Sequence, residues 1–175
     1  SQMKRVLEIM KDAAFSPIKS PVKSMGGLIG GEARKLCEFH DLGKSLCGNV
    51  LGKGITYAMA TLETNASMGL IVASPTAGSA GIVPGMMLAL QEVYGFSDKK
   101  IRQALFNAGA IGYLAMRNAT VAGAVGGCQA EVGIASAMAA SAAVELLGGT
   151  PLQCTYAAST VLMNMLGLVC DPVGG

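Results

Sequence analysis

The chain is 175 residues long, enough to bury one sizeable core, with a formal net charge of +2 and no basic run interleaved with aromatics, which argues against a nucleic-acid partner. Hydrophobic residues make up 51% and charged residues 14%, against about 25% charged in ordinary soluble domains, so much of the chain must be buried. With no Trp, four Tyr and four Phe against abundant Ala, Gly and Ser, the composition points to an all-α domain of small-residue-rich helices packed closely, with Gly-rich turns between them.

The first segment, "SQMKRVLEIMKDAA", predicts a charged amphipathic helix over 2–13 rather than a signal peptide, and the chain is expected to be cytoplasmic. A basic Pro- and Gly-containing loop, "FSPIKSPVKSMGGLIGG", follows, then a short helix, "EARKLCEFHDLG". His40, the one histidine, has no motif around it and is expected on the surface of that helix. A longer helix is predicted from Val50 to Ala66, then a brief extended stretch, "GLIVAS".

Residues 73–85, "ASPTAGSAGIVPG", form an uncharged turn rich in glycine, proline and hydroxyls. Pro84 suits the first turn of the next helix, and Gly95 stops it. A Gly- and Ser-rich turn ahead of a helix N-terminus lets an anion approach unpaired N–H groups. A carboxylate or phosphate would suit it, and a plain tight turn between packed helices is the alternative. No Gly-Lys-Ser/Thr follows and there is no GxGxxG, so nucleotide binding has no support.

Ser97 caps the next helix, "DKKIRQALFNAGAIGYLAMRNA", with Asp98 in its first turn. Beyond "TVAGAVGG", a buried Ala-rich helix is predicted from Cys128 to a C-cap at Gly148 and Gly149. Glu131 and Glu145 lie on nearly one face of it, where they bracket the core rather than form a catalytic pair. Thr150 caps the last helix and Pro151 opens it, and the chain closes on "VCDPVGG". No segment alternates as a strand should, and the long uncharged runs are broken by Gly and Pro before they reach a membrane-spanning length.

Five cysteines, odd in number and without a CxxC pair, do not build a disulfide framework in the expected compartment. Cys128, behind a glycine-rich turn at a helix start, is placed to favour the thiolate, the form that binds metal. Cys170 sits in a comparable turn, 42 residues further on, a spacing that matches no zinc or ferredoxin pattern.

Three motifs in order, "NASMGLIVASPTAGSAGIVPG", "RNATVAGAVGGCQAEVG" and "NMLGLVCDPVGG", together with "GGLIGGEARKL" upstream, resemble the alpha chain of the bacterial iron-sulfur L-serine dehydratases across nearly the whole of residues 1–175. The resemblance implies a lyase that converts L-serine to pyruvate and ammonia without pyridoxal phosphate, in an oligomer with a beta chain. It implies a 4Fe-4S cluster with Cys128 and Cys170 as two of three ligands, the third belonging to a Val-Pro-Cys motif beyond Gly175. It also implies that Ser74, Thr76, Gly78 and Ser79 hold the substrate carboxylate, and that the base is a histidine of the beta chain, with His40 not its counterpart. Cys37, Cys47 and Cys154 fall in none of these motifs. On this reading 1–175 is a trimmed catalytic domain, inactive and without its cluster when alone. The competing reading is a non-catalytic helical assembly module that keeps the fold and binds no cluster.

Overall fold

The computed structural model describes residues 2–169, all of whose regular elements are helices: α1 (Gln2–Lys19), α2 (Glu32–Asp41), α3 (Gly48–Ala66), α4 (Ile82–Tyr94), α5 (Asp98–Asn118), α6 (Gly123–Leu146) and α7 (Pro151–Met165). The all-α expectation is met, and no strand occurs among the described residues, "GLIVAS" included. No described helix is long and apolar enough to cross a membrane.

Burial centres on α4. From Ile82 to Leu90 it is apolar on every side, as a helix enclosed by others must be, and it packs against α1, α3, α5 and α6. Val83, Met87, Leu88 and Ala89 are buried on it, and Leu7 and Met10 of α1, Ile101 and Leu105 of α5, and Ile134 and Met138 of α6 complete the same cluster. Side chains of this size each gain about 1.5–3 kcal/mol on full burial, so α4 is the element that the rest of the fold holds most firmly.

Glycine sets the spacing between α3 and α4. A Cβ at Gly85 would lie 2.7 Å from the carbonyl oxygen of Gly54, and one at Gly81 would lie 2.6 Å from that of Ala58. Real Cβ atoms do not approach backbone that closely, so the two helices pack nearly backbone to backbone. That contact fixes the start of α4, and with it the turn that precedes it.

Most helix ends fall where the sequence puts them. Gly95 adopts a left-handed φ of 68° and ends α4, and Ser97 accepts from the Lys100 N–H at 3.4 Å. Gly148, at φ 88°, donates to the Glu145 carbonyl beyond α6. Thr150 and Gln153 form a reciprocal capping box on α7.

One boundary needs correction, the end of α1, and two are refined, the starts of α4 and α6. α1 continues past Ala13 to Lys19 with Pro17 inside it, because Phe15 and Ile18 pack on the core and Phe15 meets the Tyr57 ring edge-on at 5.1 Å. That tertiary packing overrides the proline signal. α4 begins at Ile82, so Pro84 occupies its third position, still within the turn whose N–H groups have no intrahelical partner. α6 begins at Gly123 and is interrupted at Gly127, whose φ of 75° and ψ of 174° are not helical. Its first turn is therefore a separate piece, and the regular helix starts at Cys128 as predicted.

His40 also departs from expectation. It is half-buried rather than exposed, with Nδ1 enclosed and unpartnered beside the space at Gly52, where a Cβ would lie 2.5 Å from that nitrogen. The missing side chain at Gly52 is what admits the ring.

Candidate functional site

The neutral turn lies between the end of α3 and the start of α4. It enters through a cis Ser74–Pro75 bond and is closed by Ser74 N–H donating to the Thr76 carbonyl at 3.2 Å. Asn65, on the last turn of α3, donates from Nδ2 to the Ala77 carbonyl at 3.0 Å and ties the turn to that helix. No side chain caps α4; its first N–H, that of Ile82, donates to the Ser79 carbonyl at 3.2 Å, and Pro84 has none to give.

Ser74 and Ser79 are buried, while Thr76 is half-buried and Gly78 is exposed. The hydroxyls form a directed chain. Thr76 Oγ1 donates to Oε1 of Glu131 on α6, and Ser79 Oγ lies 3.1 Å from Thr76 Oγ1. Each hydroxyl has one proton, so Thr76, having given its own to the carboxylate, accepts from Ser79. Ser79 Oγ also lies 3.5 Å from the Ser74 carbonyl. Ser74 Oγ is buried and has no hydrogen-bond partner.

Glu131 is the residue that sequence reasoning placed wrongly. It does not bracket the core; it stands against the turn, with Gly78 and Gly123 on either side. A Cβ at Gly78 would lie 2.8 Å from Oε1 and one at Gly123 would lie 2.6 Å from Oε2. Both glycines make room for one carboxylate, which is why two Gly-rich segments 45 positions apart serve a single place. The available signal was the spacing: Glu131 follows Cys128 by three residues, so the two lie one above the other on a helix face. Glu145, about 21 Å further along α6 at 1.5 Å per residue, takes no part.

Cys128 is half-buried at the first position after the Gly127 break. A Cβ at Gly127 would meet nothing within 4 Å, so the space at that turn is open. The next residue, Gln129, accepts from the Gly167 N–H at 2.9 Å through Oε1. This bond brings the exit of α7 back to the start of the regular α6 helix. Cys170 itself, with "CDPVGG", lies outside the described residues. Cys37 lies within α2, Cys47 is the residue before α3, and Cys154 is buried on α7.

A cavity of about 260 Å³ opens between α3 and the turn, lined by Ile55, Thr61, Asn65, Gly78, Ser79 and Ile82. Thr76 and Glu131 do not line it, and its walls are mostly apolar, so it does not match a small charged ligand.

The family model described as "Serine dehydratase alpha chain" matches residues 1–175. The chain belongs to this family. It is 49% identical over 174 residues to the probable L-serine dehydratase alpha chain of Bacillus subtilis, and 46% identical over 170 residues to the L-serine dehydratase alpha chain of Peptoniphilus asaccharolyticus. These alignments cover 99% and 97% of this chain, and 58% of the length of either relative. The L-serine dehydratase TdcG of Escherichia coli is 42% identical over 120 residues, which is 68% of this chain and 26% of that protein. Serine dehydratase alpha-chain membership thus rests on the full length of this chain, which in turn spans about three fifths of its alpha-chain relatives.

The donor chemistry at Cys128 fits the cluster that the resemblance implies. Cys128 presents a soft sulfur donor at a helix start, and the open space at Gly127 leaves room for a bulky group beside it. The fit is that of one contributor, since the described residues contain no group of three or more His, Cys, Asp or Glu able to hold a metal.

Proposed function

We propose that this chain supplies the catalytic portion of an L-serine dehydratase alpha chain, acting on L-serine to give pyruvate and ammonia, in the cytoplasm and in an oligomer with a beta chain. The observation that carries the reading is the meeting of the Ser79–Thr76–Glu131 hydrogen-bonded chain with a glycine-flanked thiol one helical turn away. Together with membership of the family, it gives this chain an amino-acid cradle next to a metal ligand.

In this reading Ser74, Thr76, Gly78 and Ser79 hold the substrate carboxylate. Exposed backbone at Gly78 offers an N–H group to an anion, and the start of α4 adds a positive dipole end, its Ile82 N–H being taken by the Ser79 carbonyl. Ser74 Oγ, buried and unpartnered, is a further donor for it. Thr76 and Ser79 act mainly as fixed points, because the proton of Thr76 is committed to Glu131 and that of Ser79 to Thr76.

Cys128 and Cys170 would hold a 4Fe-4S cluster with a third thiolate from outside these residues. When bound, the cluster supplies a Lewis-acidic iron that eases departure of the serine hydroxyl. No residue of this chain is assigned as the base for the α-proton; that group is expected on the beta chain, and His40, enclosed against Gly52, does not serve.

The test is anaerobic reconstitution of the alpha chain extended through the next cysteine, followed by assay with its beta chain and L-serine. About four iron and four sulfide per chain, with pyruvate formed only when both chains are present, is the expected result. A folded protein that takes up no iron would return Cys128 and Cys170 to structural roles and favour the assembly module.

A further inference from the structure

An α-amino acid carries two charges, and a neutral turn supplies for only one of them. The segment 73–85 has no charged residue, and the donors it has left, the Gly78 N–H and the Ser74 hydroxyl, suit a carboxylate. The ammonium group requires an acceptor, and in a partly desolvated site an anionic one.

The structure sets one carboxylate against that turn. Both oxygens of Glu131 are positioned: Oε1 accepts from Thr76, and Oε2 lies beside Gly123 and accepts no hydrogen bond from a described residue. The side chain is half-buried, so its charge is neither lost to bulk water nor sealed in the core. The Ser79–Thr76 chain points its protons toward this carboxylate, which holds the anion in place and leaves the second oxygen, Oε2, with its accepting capacity unspent among the described residues. Side chains at Gly78 or Gly123 would displace it.

We propose that Glu131 is the acceptor for the α-ammonium group of the amino-acid substrate. This inference rests on the serine reading above. Carboxylate and ammonium would then be bound from opposite sides, by α4 with its turn and by α6, and the β-hydroxyl would be directed toward the Cys128 end. An analogue without the amino group would forgo Glu131 while retaining every other contact.

The experiment uses the reconstituted two-chain enzyme and compares wild type with Glu131→Gln, which retains an oxygen for Thr76 at nearly constant volume. The expected result is a KM for L-serine raised by about tenfold or more, as befits loss of a charge-assisted hydrogen bond, with the iron content unchanged. The inhibition constant of 3-hydroxypropanoate, which is serine without its amino group, should stay within about twofold of wild type on the same grounds. Gly123→Ala, whose methyl would press on Oε2, should show the same selectivity if Glu131→Gln does not fold.

Equal losses for both ligands would overturn the inference, since they would make Glu131 a support for the turn. An unchanged KM in Glu131→Gln would overturn it as well. Wild-type enzyme loaded with iron but inert toward L-serine would strike the underlying reading and the inference with it, whereas an active wild type with an indifferent Glu131→Gln strikes the inference alone.

Discussion

The hydroxyl of Thr76 donates to the carboxylate of Glu131 across 55 residues of sequence and joins the turn before α4 to the first turns of regular α6. Replacing Thr76 by Val removes the donor at nearly constant volume and leaves a carboxylate oxygen unsatisfied. Such a loss costs about 1–3 kcal/mol when buried, and both groups are half-buried here, so the lower end applies. A KM for L-serine raised by about tenfold, with iron retained, is the expected outcome in the assembled enzyme. Iron loss in Thr76→Val would make the turn a structural part of the cluster site.

The cysteines separate by environment. Cys128→Ser should abolish iron uptake and turnover, because it removes a thiolate at the open turn after Gly127. Cys154→Ser should keep both, since that thiol is 5% exposed on α7 and lies in the wall of a different cavity with Asn107 and Glu145. Iron and sulfide analysis of the two variants after identical reconstitution decides the matter. Near-normal iron in Cys128→Ser would refute the ligand assignment.

How much of this was legible in the sequence depends on what the signal was made of. Caps and stops are local chemistry, so Ser97, Gly95 and the Thr150–Gln153 box could be read directly. The end of α1 could not, because Pro17 argues for a stop and only packing of Phe15 against Tyr57, 42 residues away, overrides it. The turn at 73–85 announced itself by its composition, whereas its partner Glu131 did not. One carboxylate in an Ala-rich helix looks the same whether it faces solvent or sits between Gly78 of a distant turn and Gly123 at the start of its own element. His40 was misread for the same reason: the space that takes its ring is an absence, at Gly52, in another helix.

Acid should weaken the fold through Glu92. Burial alone would raise its pKa, but the hydrogen bonds from Lys53, at 2.7 Å, and from Tyr57 outweigh burial and hold it below the ordinary value. A depressed carboxylate pKa stabilises the folded state fully above the unfolded value of about 4.3, and the contribution is lost as pH falls through the folded value. Asp98, lowered first by its hydrogen bond from Lys11 and then by that from Gln91, acts in the same direction. Tyr57 has the opposite sense: burial and then Glu92 raise its pKa, so its contribution is present below about pH 10 and is lost as pH rises. In urea denaturation, Glu92→Gln should lose less stability than wild type between about pH 7 and pH 3.5. Tyr57→Phe should lose less than wild type above about pH 10. Parallel pH profiles for wild type and both variants would remove this cluster as a source of pH dependence.

Two glycine-to-alanine changes inside helices should act in opposite directions. Helix propensity alone favours Ala over Gly by about 1 kcal/mol. At Gly109, exposed on α5 with nothing within 4 Å of a new Cβ, that preference meets no opposition, and Gly109→Ala should raise Tm by about 2–4 °C for a domain of this size. At Gly85 the new methyl would lie 2.7 Å from the Gly54 carbonyl oxygen and 3.1 Å from the Ala58 Cβ, in a helix enclosed by four others. Overpacking of this kind costs about 1–3 kcal/mol, and the obstacle is backbone that cannot rotate away, so the cost exceeds the propensity gain and Tm should fall. The strain should reach the turn as well, since the α3–α4 contact fixes where α4 begins. Gly85→Ala is therefore expected to raise the KM for L-serine in the assembled enzyme, and Gly109→Ala to leave it unchanged. Equal stabilisation by both substitutions would mean that α3 and α4 can separate by several tenths of an ångström without cost, and the turn would then owe its geometry to Asn65 and Glu131 instead.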